Sequence, residues 1–341
     1  AESKRIAAEL ASARRADRGK AYFDYAVSLM DRGSFVEGRE ILAAIATQLN
    51  DTDIGKQALA RWQDPLLRRR VIKTTGRDEN RVNICFLAEG YPLERNEDQQ
   101  AFDNTADRAQ RLLEKQEPWS EYAGYFNYYA INLRSNDRGI SREPGGIKKD
   151  TPCGGKIDGG EFTVDNAQAR SWVERFPGPS QAVCIGNDSA SVATGGGGAV
   201  AVVKGMIEVC GHELGHAFGG LRDEYDFSAE GKPRPPVVTA VPTRVIGPNV
   251  VEGSDRADVR AKAPWAQWLA LGTANWTGKI VDVFEGADER PKNVWRPQVD
   301  CKMRTASSPF CCVCLEQMIL RIYASVRPID EVSPKDEKSE I

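Results

Sequence analysis

Along residues 1–63 the apolar positions recur at intervals of three and four, the period of a helix with one buried face. The segments AAELASARRA, AYFDYAVSLMDRG, SFVEGREILAAIATQLN and IGKQALARW carry this pattern. In the second and third, Tyr22, Tyr25, Leu29, Phe35, Ile41, Leu42, Ile45 and Leu49 form facing stripes, with Gly33 and Ser34 at the turn between them. The pattern predicts a small all-α N-terminal domain over residues 1–65. It fits one tetratricopeptide-like helix pair and equally a helical cap on the next domain, because repeat arrays need about three units to bury a continuous core.

After Asp64, Pro65 and the basic run LLRRRVIKTTGRDEN the period changes. RVNICFLAEGY, YFNYYAINLRS and QAVCIGND are short runs rich in β-branched and aromatic residues, closed by Gly, Asn, Ser or Asp, and they predict strands. Residues 97–117 predict a helix between the first two. The stretch 138–160, rich in Gly, Pro and charge, predicts a long surface loop. TGGGGAVAVV then leads into a helix through KGMIEVCGHELGHAF, so strands and helices alternate and the expectation is an α/β catalytic domain over residues 78–328. From Tyr225 onward the chain reads as loop-rich, closing on a helix through CLEQMILRIYASV. The charged tail, residues 329–341, is expected to be disordered.

Composition narrows the partners. The net charge of the 341-residue chain is -3, with both signs interspersed and no basic stripe, which argues against nucleic acid. No run approaches the roughly 18 apolar residues of a membrane span, and AESKRIAAEL holds no apolar signal core. Cys85, Cys153, Cys184 and Cys210 are scattered, whereas Cys301, Cys311, Cys312 and Cys314 crowd together. That density predicts one or two disulfides in an exported protein, secreted, periplasmic or at the cell surface. A zinc knuckle is the weaker alternative, since no second cysteine pair of suitable spacing is evident.

Histidine is the scarce residue: the chain has only His212 and His216. Four apart on a helix, they lie about 40° apart around the axis and one turn apart along it, so they can share one ion. Glu213 projects to the adjacent side, where a carboxylate can take a proton from the catalytic water without being a ligand. A catalytic zinc site takes three protein ligands, so the third must be a carboxylate or a thiolate. The nearest acids lie in LRDEY, just after Gly219 and Gly220. On a continuous helix Asp223 would sit about 10 Å along the axis from His216, out of reach. The helix must therefore break at the glycines, and Asp223 is the expected third ligand of one Zn2+ ion. Glu224 is its rival, and a solvated turn is the reading without function.

HELGHAFGGLRDEY resembles the signature of the M64 family of bacterial metallopeptidases. FLAEGYPLER, FNYYAINLRSNDRGIS, the glycine run before AVAVV, FEGADERPKNVWRP and CKMRTASSPFCCVC resemble the same family, from about residue 82 to 325, and the helical N-terminus lies outside the resemblance. The family is similar to the metzincins, which implies a mixed sheet around a central active-site helix that ends at a glycine, a third ligand beyond it, and a methionine-bearing turn below the metal. Carried over, His212, His216 and Asp223 match the ligands, Glu213 the general base, and Met303 the methionine turn. Arg222 stands where a metzincin has a histidine, and the aspartate follows one position later. The implied activity is zinc-dependent endopeptidase action on a protein or peptide. Its rivals are an amidase acting on a non-peptide amide, and a peptide- or carbohydrate-binding module that keeps a metal without turnover.

Residues 195–198 are a run of glycines, but the run lacks the closing Gly-Lys-Ser/Thr of a phosphate loop. In a peptidase such a run suits a strand edge that pairs with an extended substrate, while a flexible lead-in to a buried strand explains it as well.

Overall fold

The computed structural model describes residues 3, 4, 6, 15–31, 35–63, 69–93, 95–174, 176–189, 193–196, 198–226, 240–270 and 279–330. The N-terminal helices Arg15–Asp31, Phe35–Gln48 and Asp53–Gln63 surround a core of Ala26, Leu29, Ile41, Leu42, Ile45, Leu49 and Ala58. Tyr25, expected in the apolar stripe, is 40% exposed. Gly33 and Ser34 lie outside the described residues.

The centre of the molecule is a six-stranded mixed sheet. β1 (Arg69–Lys73), β2 (Val82–Glu89) and β3 (Phe126–Ile131) come first. β4 (Ser141–Glu143), β5 (Lys156–Asp158) and β6 (Glu161–Thr163) form a small sheet of their own, and β7 (Ser180–Gly186), β8 (Thr194–Gly196) and β9 (Ala199–Val203) complete the large one. Its order is β1-β3-β2-β7-β9-β8: parallel in the middle, with β1 and β8 antiparallel at the edges. All residues of β2, β3 and β9 are buried, as strands covered on both faces must be.

Alternation along these strands divides two cores. Ile84, Phe86, Tyr128, Val183, Val200 and Val202 face the helix Cys210–Ala217, together with Cys210 and Leu214 of that helix. Cys85, Leu87, Tyr129, Ile131, Ala182 and Cys184 face the helix Asn166–Val173 through Ala169 and Val173. The chain is thus a mixed α/β protein. Among the described residues no helix is long and apolar enough to cross a membrane.

Several expectations change. The stretch 138–160 is not a structureless loop, since it carries β4 and β5; Glu, Arg and Lys in these three-residue strands hide the period that would reveal them. The C-terminal third holds a four-stranded antiparallel sheet ordered β10 (Arg244–Gly247), β11 (Val250–Glu252), β13 (Arg290–Arg296), β12 (Phe284–Ala287). Asp330, at the start of the expected disordered tail, is docked: its carboxylate pairs at 2.6 Å with the guanidinium of buried Arg81, and residues 331–341 lie outside the described residues.

The cysteines also differ from expectation. All eight carry thiols rather than disulfides. Cys85, Cys153, Cys184 and Cys210 are small buried core residues. Cys301, Cys311 and Cys314 gather around a common point at the start of the helix Cys312–Ser325, so they form a cluster instead of a covalent pair.

Candidate metal centre

β9 runs out of the sheet into the short 3-10 segment Lys204–Val209 and then the helix Cys210–Ala217. Cys210 and Leu214 point into the sheet, which leaves His212 and His216 on the side away from it. The glycines in this helix are packing positions. A Cβ on Gly211 would meet the Gln116 side chain at 2.8 Å, and one on Gly215 would lie 2.6 Å from Met303 Sδ. Met303 is fully buried, with its sulfur packed against the helix at Gly215.

The helix stops where the glycines allow it. Gly220 adopts φ +68, the left-handed conformation that reverses the chain at low cost. Gly220 N–H donates to His216 O at 3.0 Å and Leu221 N–H to Gly215 O at 3.0 Å, satisfying carbonyls the helix end would orphan. The returning chain brings Asp223 back over the helix.

Three atoms then converge. His212 Nε2 and His216 Nε2 are 3.2 Å apart, and Asp223 Oδ1 is 3.2 Å from the first and 3.1 Å from the second. The opposite nitrogens decide the tautomers. His212 Nδ1 sits 2.9 Å from Lys302 O, and His216 Nδ1 sits 2.8 Å from Leu221 O. A carbonyl only accepts, so each Nδ1 carries the proton and each Nε2 presents a lone pair. Asp223 Oδ1 is a buried atom, and with both rings neutral in these tautomers it and the two Nε2 atoms present three mutually facing lone pairs. Such a triangle is repulsive until a cation fills it. Its edges approach the separation of about 3.3 Å that bonds of about 2.0–2.1 Å give around a tetrahedral ion, and two imidazoles with one carboxylate are a donor set that suits zinc.

The loop carrying Asp223 is held from two sides. The β12–β13 hairpin turns on Asp288 and Glu289, both left-handed at φ 50 and 62. That conformation aims their N–H groups at the loop: Asp288 donates to Asp223 O at 2.9 Å and Glu289 to Tyr225 O at 3.0 Å. From the other side Glu224 N–H donates to Met303 O at 2.8 Å. FEGADERPKNVWRP and CKMRT, remote in sequence, thus fix the backbone on which Asp223 sits.

Glu213 is 6% exposed, and burial first of all raises its carboxyl pKa, with the Asp223 charge adding to it and the two imidazoles opposing. The glycine run explains its surroundings. A Cβ on Gly195 would lie 2.4 Å from Glu213 O and 2.8 Å from Glu213 Oε2, so β8 can pass this close only because it lacks side chains there. β8 is an edge strand of the large sheet.

The two acids of LRDEY part company. Asp223 faces the imidazoles, whereas Glu224 is fully buried on the other side, accepting from Asn249 Nδ2 at 2.9 Å and lying 3.1 Å from Cys314 Sγ. Sequence reasoning overlooked Tyr225. Burial raises its phenol pKa, reinforced by the charge of Asp223 and by a hydrogen bond to that carboxylate, so the phenol stays protonated beside the site. Its place one residue after the acidic pair was the available signal.

A family model described as IgA Peptidase M64 matches residues 71–276, more than half of the chain, and it spans β1 through the ligand loop and beyond. No curated protein matches the chain. A sequence that fits this model over both the sheet and the HELGH helix belongs to the M64 peptidase family.

Proposed function

We propose that the chain is a zinc-dependent endopeptidase in which His212, His216 and Asp223 hold one ion and Glu213 is the general base. The observation that carries this reading is the convergence of His212 Nε2, His216 Nε2 and Asp223 Oδ1, each within 3.2 Å of the other two. A zinc ion held there supplies a Lewis acid that polarises the scissile carbonyl and makes a water molecule acidic enough to attack near neutral pH.

The remaining work falls to the chain's own residues. Glu213 takes the proton of the attacking water and returns it to the departing amine, and its raised pKa makes it a better acceptor for this exchange. Tyr225 holds the Asp223 carboxylate in place through its phenol. The carbonyls of Lys302 and Leu221 hold both imidazoles in the tautomer that offers Nε2. β8, passing beside Glu213 as a sheet edge, offers an extended peptide a strand to pair with. Such pairing engages residues on both sides of the cleaved bond, which is what internal cleavage requires.

The test uses an unfolded protein and internally quenched peptides as substrates. Cleavage should stop in a chelator, return with zinc, and be lost in a Glu213→Gln chain that still retains zinc. Undiminished cleavage by metal-free protein would end the reading.

A further inference from the structure

Behind the ligand loop, Glu224, Cys301, Cys311 and Cys314 bring one carboxylate oxygen and three sulfurs to within 4.8 Å of one another. Every member is 0–2% exposed. We propose that this cluster is a second, structural zinc site, with Cys301, Cys311 and Cys314 as thiolate ligands and Glu224 as the fourth.

Three independent features point to a cation there. The first is the donor set. A tetrahedral zinc with bonds of about 2.3 Å to sulfur and about 2.0 Å to oxygen spaces its ligands by about 3.5–3.8 Å, and the four side chains already bring their ligand atoms within 4.8 Å of one another. Soft thiolates select such a metal over the harder ions that prefer all-oxygen cages. The second is an orphaned atom: Glu224 Oε2 is buried with no hydrogen-bond partner, in a residue whose other oxygen already accepts from Asn249 Nδ2 at 2.9 Å. A buried carboxylate oxygen left without a donor costs on the order of 1–3 kcal/mol, and a cation removes that cost.

The third feature is how the sulfurs are addressed by the backbone. Cys311 N–H points at Cys301 Sγ at 3.2 Å, and Cys314 N–H at Cys311 Sγ at 3.4 Å. Cys311 thereby caps the helix Cys312–Ser325, a position where oxygen-bearing side chains are the usual choice. A sulfur accepting N–H groups at a helix N-terminus is placed to be a thiolate. The alternatives explain less. A nucleophilic or redox-exchanging thiol needs access, and these are sealed. One disulfide would use two of three sulfurs and leave the third, together with the orphaned carboxylate oxygen, unexplained.

The location gives the site a purpose. Glu224 follows Asp223 directly, while Cys301 precedes Lys302, whose carbonyl holds His212 Nδ1, and Met303, whose carbonyl receives Glu224 N–H. An ion on these four side chains pins residues 224 and 301–314 together, the two segments that frame the histidine site.

Elemental analysis of the full chain after exhaustive dialysis tests the proposal apart from any activity. The wild-type chain should retain two zinc ions, and His212→Ala/His216→Ala should retain one. Cobalt(II) exchanged into that double variant should give thiolate-to-cobalt charge transfer in the near ultraviolet, a band that imidazole and carboxylate ligands do not produce. Cys311→Ser/Cys314→Ser should abolish the band; should this variant fail to fold, cobalt exchange into the wild-type chain still decides the matter. A folded double-histidine variant that retains no zinc and gives no such band overturns the proposal. So does a thiol titration of the unreduced, denatured chain in chelator that finds a disulfide among the three cysteines.

Discussion

Two clusters of ligand-type side chains meet at one peptide bond, between Asp223 and Glu224, and they are built in opposite ways. His212, His216 and Asp223 come from a single helix and the turn that ends it, and Asp223 remains 21% exposed on the open side. Glu224 joins cysteines from the far end of the sequence, and nothing in that cluster reaches solvent. On the reading proposed above, the difference is that between a site that must admit a substrate and one that need only hold segments together, since catalytic zinc keeps a position open and structural zinc is closed by four protein ligands.

The sharpest way to separate the clusters is to remove the base that only one of them has. Glu213→Gln should lower kcat by about 10²–10⁴-fold while metal content stays at the wild-type level, because the amide cannot accept a proton and no ligand has changed. More than a tenth of wild-type turnover in that variant would place the base elsewhere.

Exchanging the neighbouring acids one at a time comes next. Asp223→Ala should weaken zinc binding at the histidine site on the order of ten- to a hundredfold or more and leave the cysteine site loaded. Glu224→Gln should do the reverse, with the histidine-site ion kept. Metal counts after dialysis read both, and two variants with the same loss would show that the clusters are a single unit.

A packing change tests how closely β8 must approach. Gly195→Ala places a Cβ 2.4 Å from the backbone oxygen of Glu213, an atom that cannot swing aside as a side-chain end can. We expect a loss of about 1–3 kcal/mol in urea unfolding, typical of overpacking, along with a lower kcat. An unchanged midpoint would mean that β8 sits further from the helix. The smallest effect concerns the hairpin that holds the ligand loop. Glu289 sits at φ 62, so Glu289→Gly should relieve left-handed strain and raise stability by about 0.5–1 kcal/mol. A fall in the urea midpoint would show that the Glu289 side chain contributes more than its backbone costs.

Much of the histidine site was legible in the sequence because its spacing is local. Two histidines at i and i+4, a glutamate between them and glycines where the helix must stop are governed by helix geometry, and Gly220 reverses the chain where that geometry requires it. The long buried strands were legible for the same reason, since VNICFLAE and FNYYAI are buried on both faces and therefore mostly apolar. Helix boundaries shifted by a few residues: the helix expected over 97–117 spans Asn96–Leu113.

What the chain alone could not reveal was pairing across distance. β4, β5 and β10–β12 are only three or four residues long and β13 mixes charged and apolar residues, so no period announces them, and only register with a partner makes them strands. The turn at Asp288 and Glu289 reads as solvated charge until the fold aims its N–H groups at Asp223 and Tyr225.

The cysteine cluster shows the same limit most plainly. Sequence determined that His212, Glu213 and His216 share one end of a helix, because 3.6 residues per turn leaves no other arrangement. It favoured Asp223 over Glu224 without showing where either carboxylate points, and it could not show that Cys301, Cys311 and Cys314 had a fourth partner, because that partner lies far away along the chain. Tertiary structure places both side chains at once: the loop leaving Gly220 alternates its side chains, so Asp223 turns to the imidazoles and Glu224 is carried into the protein to meet the sulfurs.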